Sequence, residues 1–369
     1  MRIAIVVPQI FIIHGNRMPL RLANRLSENE LDVDVFVHTI SASLIHDVKE
    51  MIGNAKLKYI LETANPQKKL VSFVRSQYGQ KYGKMLNRKM IESHEVNAYD
   101  YVLLVANEAR NIGQLIKKWQ SKRKPHTFHV VMELNDHFFL RHSARRFFIL
   151  KRLLMPFYSL VHHIEYWKLS SFDSILTNSP WTSMILFYLY GIQSELEFVF
   201  YDDREFSLPS TSLKEDYIIV PTVALEKFHY DTVRWLHSNG IKLLTYGPNS
   251  VKGVPSLGYL PEERMKKVIS KARAMLFLFD YEALGLIPIE SLALGTPVIT
   301  IAKEGPYSVL RNNSYVYFPQ SEMELLEISI SVFSDDWLIL NTPKCCNESV
   351  SEFRLTKFVD KFKKTLSNS

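Results

Sequence analysis

The stretch Tyr281–Thr300 reads YEALGLIPIESLALGTPVIT. Its two glutamates, Glu282 and Glu290, stand eight positions apart with Gly285 and Pro288 between them. The run Glu290-Ser291-Leu292-Ala293-Leu294 has helical character and stops at Gly295, and Pro297–Ile301 reads as a strand. Ahead of it, Ala274-Met275-Leu276-Phe277-Leu278-Phe279 is a continuous apolar run, the pattern of a parallel strand buried on both faces. The unit is therefore strand, loop, helix, strand. One carboxylate stands at the strand's C-terminal end and the other lies on the helix. In an open parallel sheet, ligands bind at that edge.

The chemistry of the loop is specific. Gly285 lets the backbone approach a ligand closely. The amides of Leu284, Gly285 and Leu286, where the helix opens, are donors at the positive end of a dipole and suit a phosphate. Glu282 and Glu290 would repel a phosphate, so they are expected to face neutral hydroxyls, whose hydrogen bonds carboxylates accept in pairs. Amides for phosphate and carboxylates for hydroxyls together describe a nucleotide-sugar site. Taken singly, Glu282 reads equally well as a solvated loop residue, and Glu290 as an acid favoured near a helix start.

The segment resembles the Glu-x7-Glu signature of retaining glycosyltransferase family 4. The matching residues are Glu282-Ala283-Leu284-Gly285, Glu290-Ser291 and Gly295-Thr296-Pro297-Val298. Leu284 stands where that family usually has an aromatic residue. The resemblance implies an α/β chain of GT-B type, with two Rossmann-like domains facing each other across a cleft. It also implies that Glu282 holds donor-sugar hydroxyls and Glu290 the ribose.

The 369 residues suffice for two domains, and 47% hydrophobic content excludes a disordered chain. The two cysteines, Cys345 and Cys346, are adjacent, and neighbours rarely form a relaxed disulfide, which suits a reducing, cytoplasmic compartment. Met1-Arg2 leads straight into the apolar run Ile3–Val7, too short for a signal peptide, and no stretch of about 18 uncharged apolar residues predicts a membrane span. The net charge of +7 suits a nucleic acid, a membrane surface or an anionic substrate. No recognised nucleic-acid motif accompanies it, so no nucleic-acid partner is expected.

The expected N-terminal domain spans residues 1–206. Strand Ile3–Val7, a loop from Pro8 to Asn16, a helix from Pro19 to Glu28 and strand Val33–Val37 make a Rossmann-like opening. Gly15-Asn16 resembles the family's glycine loop on the donor side, with Asn16 in place of a second glycine. Strands are predicted at Tyr99–Val105 and Phe128–Glu133, and a last one at Asp173–Ser179. At the end of the second lies Glu133-Leu134-Asn135-Asp136-His137. The family often carries a functional histidine about here. Strict register puts Glu133 at that position and His137 four residues later, so His137 is a catalytic candidate, with Glu133 and Asp136 on the acceptor side. Two basic amphipathic stretches, around Lys68–Ile91 and Arg145–Trp167, read either as membrane-surface helices or as core helices with a basic outer face.

Residues 207–216, rich in Ser and Thr, are the expected linker. A donor domain is expected over 217–350, and a basic amphipathic helix over 351–369. In this fold the last helix often crosses back to the first domain. The family places an Arg at the end of the first donor-domain strand and a Lys about five residues on, both neutralising the donor diphosphate. Lys227 matches the lysine. Thr222 stands where the arginine is expected and offers a hydroxyl without charge. Lys252 and Lys303 are candidates for the missing cation.

These residues predict a retaining, metal-independent glycosyltransferase. It would pass a sugar from a UDP- or GDP-sugar to a hydroxyl acceptor, lipid-linked or otherwise, and need no separate cofactor. Lys227 and the loop amides would stabilise the leaving diphosphate. A nucleotide-sugar epimerase of the same architecture and a degenerate nucleotide-sugar-binding protein are the alternatives. The basic stretches extend the cytoplasmic expectation to peripheral attachment on an anionic membrane.

Overall fold

The computed structural model describes residues 1–10, 17–63, 98–105, 125–132, 162–209, 213–223 and 228–368. The chain divides into two compact units. Unit 1 comprises Met1–Asn178, Thr182–Phe198 and Val359–Ser369; unit 2 comprises Ser179–Trp181 and Val199–Phe358.

Unit 1 is built on seven strands: β1 (Arg2–Ile10), β2 (Asp32–Ser41), β3 (Lys56–Thr63), β4 (Tyr101–Val105), β5 (His126–Val131), β6 (Ser174–Thr177) and β7 (Leu196–Glu197). Their order across the sheet is β3-β2-β1-β4-β5-β6-β7, and every pairing is parallel. The central strands are buried on both faces: Ile3, Ile5, Val7, Val102, Leu103, Leu104 and Val130 have no exposed surface. That is why they read as unbroken apolar runs rather than alternating ones. Helices α1 (Arg17–Glu28) and α2 (Ile45–Ile52) follow β1 and β2.

One expectation shifts in this unit. β1 does not stop at Val7 but runs through Pro8 to Ile10. Its pairing with β4 ends at Val6, while pairing with β2 continues to Ile10. β4 and β5 each end within the range read from sequence, at Val105 and Val131. Asn178, just past β6, ties the strand ends together: its amide donates to Met132 O at 2.9 Å and its side-chain oxygen accepts from Thr182 Oγ1 at 2.7 Å. Helix α3 (Pro180–Tyr190) starts there and is closed by Gly191, at φ 65°.

Unit 2 holds β8 (Glu215–Pro221), β9 (Leu243–Tyr246), β10 (Ala272–Phe277), β11 (Val298–Thr300) and β12 (Val316–Tyr317), in the parallel order β12-β11-β10-β8-β9. Helices α4 (Tyr230–Ser238), α5 (Glu262–Lys271), α6 (Leu286–Ala293) and α7 (Glu304–Leu310) connect them. Three more follow β12: α8 (Glu322–Ser331), α9 (Asp335–Leu340) and α10 (Pro343–Ser349). The last helix, α11 (Leu355–Asn368), buries Leu355, Phe358, Val359, Phe362 and Leu366, the spacing of one helical face. Its segment from Val359 onward belongs to unit 1, where Phe362 packs edge-on to Phe128 with ring centres 5.9 Å apart.

The basic stretch around Lys68–Ile91 lies outside the described residues, as does Arg145–Trp167 up to residue 161. No described helix is long and apolar enough to cross a membrane.

Candidate functional site

The site of interest lies at the C-terminal edge of the unit 2 sheet. The apolar run that opens it is buried, with Ala274, Met275 and Leu276 wholly enclosed. After β10 the chain turns sharply. Tyr281 adopts a left-handed backbone, φ 68°, which is uncommon for a residue with a side chain. Gly285 is left-handed too, φ 80° and ψ 57°, and is the N-cap of α6. The helix thus begins at Leu286, four residues before the helical run read from sequence. Pro288 falls in the first turn, where its missing N–H breaks no internal bond.

This earlier start changes the standing of Glu290. It lies in the middle of α6 and is only 7% exposed, so it is not a solvated acid at a helix start. Glu282 is half-buried in the loop, and Leu284 is buried. Helix α6 then ends at Gly295, also left-handed.

The loop is gripped from below by residues that sequence reading passed over. Gly305-Pro306 lies in the first turn of α7. Gly305 N–H donates to Glu282 O at 2.9 Å. A β-carbon on Gly305 would sit 2.2 Å from the Ala283 carbonyl, and one on Gly285 would sit 2.7 Å from Pro306 Cγ. Ser179 Oγ donates to Ala283 O at 2.5 Å. The only sequence signal for these contacts was the pair of small or rigid residues after β11.

Thr222, at the C-terminal end of β8, is completely buried. Its backbone N–H donates to Tyr246 O at 2.8 Å, and its hydroxyl lies 2.9 Å from that carbonyl and 2.7 Å from Asn249 O. The hydroxyl's single proton is therefore given to backbone. Gly247 closes over it, since a β-carbon there would lie 2.8 Å from Thr222 Oγ1. Of the two candidate cations, Lys252 is exposed in the turn after β9. Lys303 stands at the same sheet edge as Glu282 and donates to Asp280 Oδ1 at 3.0 Å. Asp280 Oδ2 is also 2.9 Å from His229 Nε2.

Tyr246, at the end of β9, is buried, and its hydroxyl has no hydrogen-bond partner among the described residues. Burial, with the Glu290 carboxylate nearby, pushes its phenol well above the usual tyrosine range. Lys227, His137, Glu133, Asp136, Gly15 and Asn16 lie outside the described residues. Among the described residues no group of three His, Cys, Asp or Glu side chains is placed to hold a metal ion.

Residues 244–349 match the family model described as Glycosyl transferases group 1. No curated protein sequence matches the chain. Solved structures match it over its whole length. Sucrose-phosphate synthase from Thermosynechococcus elongatus is 16% identical with a TM-score of 0.71, each chain being covered in full. Anabaena HepE in complex with UDP and glucose is 11% identical with a TM-score of 0.69, again over all of both chains. A glycosyltransferase from Rickettsia africae is 11% identical, TM-score 0.63, over 100% of this chain and 98% of the other. Residues 244–349 are thus similar to the group 1 glycosyl transferases, and the likeness of the whole chain to these solved structures shows its fold, two parallel-sheet α/β domains of GT-B type.

Proposed function

We propose that the chain is a retaining, metal-independent glycosyltransferase that moves a sugar from a nucleoside diphosphate sugar to a hydroxyl acceptor. The observation that carries this reading is the pairing of Glu282 and buried Glu290 around a left-handed Gly285 that caps α6. It lies inside the matched domain, at the edge of a parallel sheet where ligands bind. Glu282 would hold donor-sugar hydroxyls and Glu290 the ribose. Pro288 has no N–H, so the first turn of α6 offers the amides of Leu286 and Ile287 to phosphate, alongside those of Leu284 and Gly285. Lys227 would add charge to the same diphosphate. HepE's complex with UDP-glucose supports a UDP-sugar as the first donor to try.

Acceptor selection would fall to Glu133 and Asp136, with His137 as a catalytic candidate and Gly15 and Asn16 as donor-binding candidates. A lipid-linked acceptor fits the basic stretches, and with it comes cytoplasmic, peripheral attachment to an anionic membrane. Tyr166 and Trp167, 46% and 55% exposed on the helical residues 162–169, are the amphipathic aromatics such a surface uses. A binding protein that holds the nucleotide sugar without transferring it is the second reading, favoured by the uncharged, backbone-bonded Thr222.

Incubation with a panel of UDP- and GDP-sugars, with and without EDTA, tests both. Release of nucleoside diphosphate and a product with the donor's anomeric configuration, by NMR, is expected. Binding of a donor with no release under any acceptor condition would leave the second reading. Sedimentation with anionic vesicles at low salt tests the membrane part, and protein left in the supernatant would remove it.

A further inference from the structure

Three side chains meet at the donor-domain edge, and of them only Lys303 has been named so far, as a candidate for the missing cation. Asp280 follows β10, Lys303 follows β11, and His229 lies in the connection after β8, just before α4. β11, β10 and β8 are adjacent in the sheet, so the three side chains come from three neighbouring strand ends. His229 is fixed there through its backbone. Its N–H donates to Leu278 O at 3.2 Å, and Phe228 bridges to Phe279 across the same edge.

Asp280 gathers the other two. Lys303 Nζ donates to Oδ1 at 3.0 Å, and His229 Nε2 lies 2.9 Å from Oδ2. The second contact has a hydrogen bond's length but not its alignment, so buried Nε2 has no hydrogen-bond partner among the described residues. One carboxylate thus holds a lysine ammonium and an imidazole. The Asp280 and His229 side chains keep about a third of their surface open, and Lys303 keeps 58%.

The position of this cluster limits what it could take. Asp280 is two residues before Glu282. In a nucleotide sugar, the carbon that is transferred is bonded directly to the diphosphate. A group that binds the sugar's hydroxyls must therefore have the diphosphate's partners beside it. The strand-end hydroxyl of Thr222 is given to backbone carbonyls and supplies no charge. Helix α6 supplies amides only. Charge-assisted contacts from lysine and imidazolium are the stronger partners for a leaving diphosphate.

We infer that Lys303 and His229, held together by Asp280, form a phosphate-binding pair for the donor's diphosphate; this rests on the glycosyltransferase reading above. Lys303 and His229 contact the phosphate oxygens. Asp280 is a positioning residue that holds both side chains at the edge when no ligand is bound.

The test is calorimetric titration of wild-type protein, Lys303→Gln, His229→Asn and Lys303→Arg with UDP, GDP and ADP, and with the matching nucleosides. Losing one charge-assisted contact should weaken the diphosphate about ten-fold in Lys303→Gln and in His229→Asn, while nucleoside affinity stays within about two-fold. Lys303→Arg keeps the charge and should retain most of the affinity. Unchanged diphosphate affinity in both Lys303→Gln and His229→Asn would overturn the inference. So would an equal loss for diphosphate and nucleoside, since the cluster would then be acting through the fold. Wild-type protein that binds none of the three diphosphates would instead remove the donor reading on which the inference rests.

Discussion

Gly305 N–H donates to the carbonyl oxygen of Glu282 at 2.9 Å, and Gly305 lies so close beneath Ala283 that a β-carbon would come within 2.2 Å of its carbonyl. The first turn of α7 is thus the floor on which the Glu282 loop rests. Gly305→Ala must push that loop away or shift α7, because the atoms in the way are backbone. Overpacking of this kind costs roughly 1–3 kcal/mol. A lower melting temperature is expected, together with weaker donor binding. Unchanged binding in a destabilised variant would separate the loop's support from its function.

The two glutamates should fail differently. Glu290→Gln keeps the volume in a 7% exposed site, but it replaces a two-oxygen acceptor with an amide that has only one. Nucleotide affinity should fall by roughly 1–3 kcal/mol. Glu282→Gln should leave nucleoside diphosphate affinity close to wild type and lower turnover by at least about ten-fold, because its partner is the sugar. Isothermal titration with the diphosphate, beside initial rates with the full donor, distinguishes the two. Identical behaviour of the variants would remove the division of roles.

Much of the donor half was legible because its signals are local. The apolar run before Glu282, the glycine between the glutamates and the Gly-x-Pro-Val stop each act through their own backbone. The helical run read from sequence began at Glu290, whereas α6 starts at Leu286, since Pro288 in a first turn costs nothing. The helices after β12 carried readable caps that went unused. Ser321 Oγ accepts from Glu324 N at 3.1 Å, and Glu324 reaches back to Gln320 N at 2.7 Å, close to the Ser-x-x-Glu box. What could not be read were contacts between distant segments: Ser179 on Ala283, Gly305 under the loop, and the gathering of His229 and Lys303 by Asp280. No periodicity encodes those. Thr222 shows the same limit from the other side, since the sequence gives its identity but not the carbonyls that take its proton.

Tyr246 offers a test of cost without partner. Its hydroxyl is buried at the end of β9 with no hydrogen-bond partner among the described residues, and the Glu290 carboxylate nearby adds to the burden. Removing an unsatisfied buried hydroxyl while keeping the ring should be neutral to stabilising, by about 0–2 kcal/mol. Tyr246→Phe is therefore expected to melt at or above the wild-type temperature in the absence of nucleotide. A clear drop in melting temperature would mean that the hydroxyl has a partner in solution.

Lys214 gives the fold a pH dependence of known sign. Its Nζ donates to Ser270 O at 2.9 Å, Gly295 O at 2.8 Å and Thr296 Oγ1 at 2.8 Å, close to the C-terminal ends of α5 and α6. Three acceptors match the ammonium's three protons, and helix C-termini favour a cation. Burial nevertheless pulls its pKa from 10.5 down to about 7, and nearby Cys346 opposes the fall. Between about pH 7 and 10.5 the unfolded chain then binds one proton that the folded chain has released, so stability rises with pH by up to about 1.4 kcal/mol per unit. Burial pushes the Cys346 thiol the other way, from 9.0 up to about 12, and stability is lost through it above about pH 9. The clean window for Lys214 is therefore pH 7 to 9. Chemical denaturation across that window should show stability climbing in the wild-type protein, and Lys214→Met should flatten the climb. Met also leaves three acceptors without their donor, so the variant should be less stable near neutrality by roughly 1–3 kcal/mol. A wild-type profile that stays level from pH 7 to 9 would mean that the three acceptors hold Lys214 charged throughout.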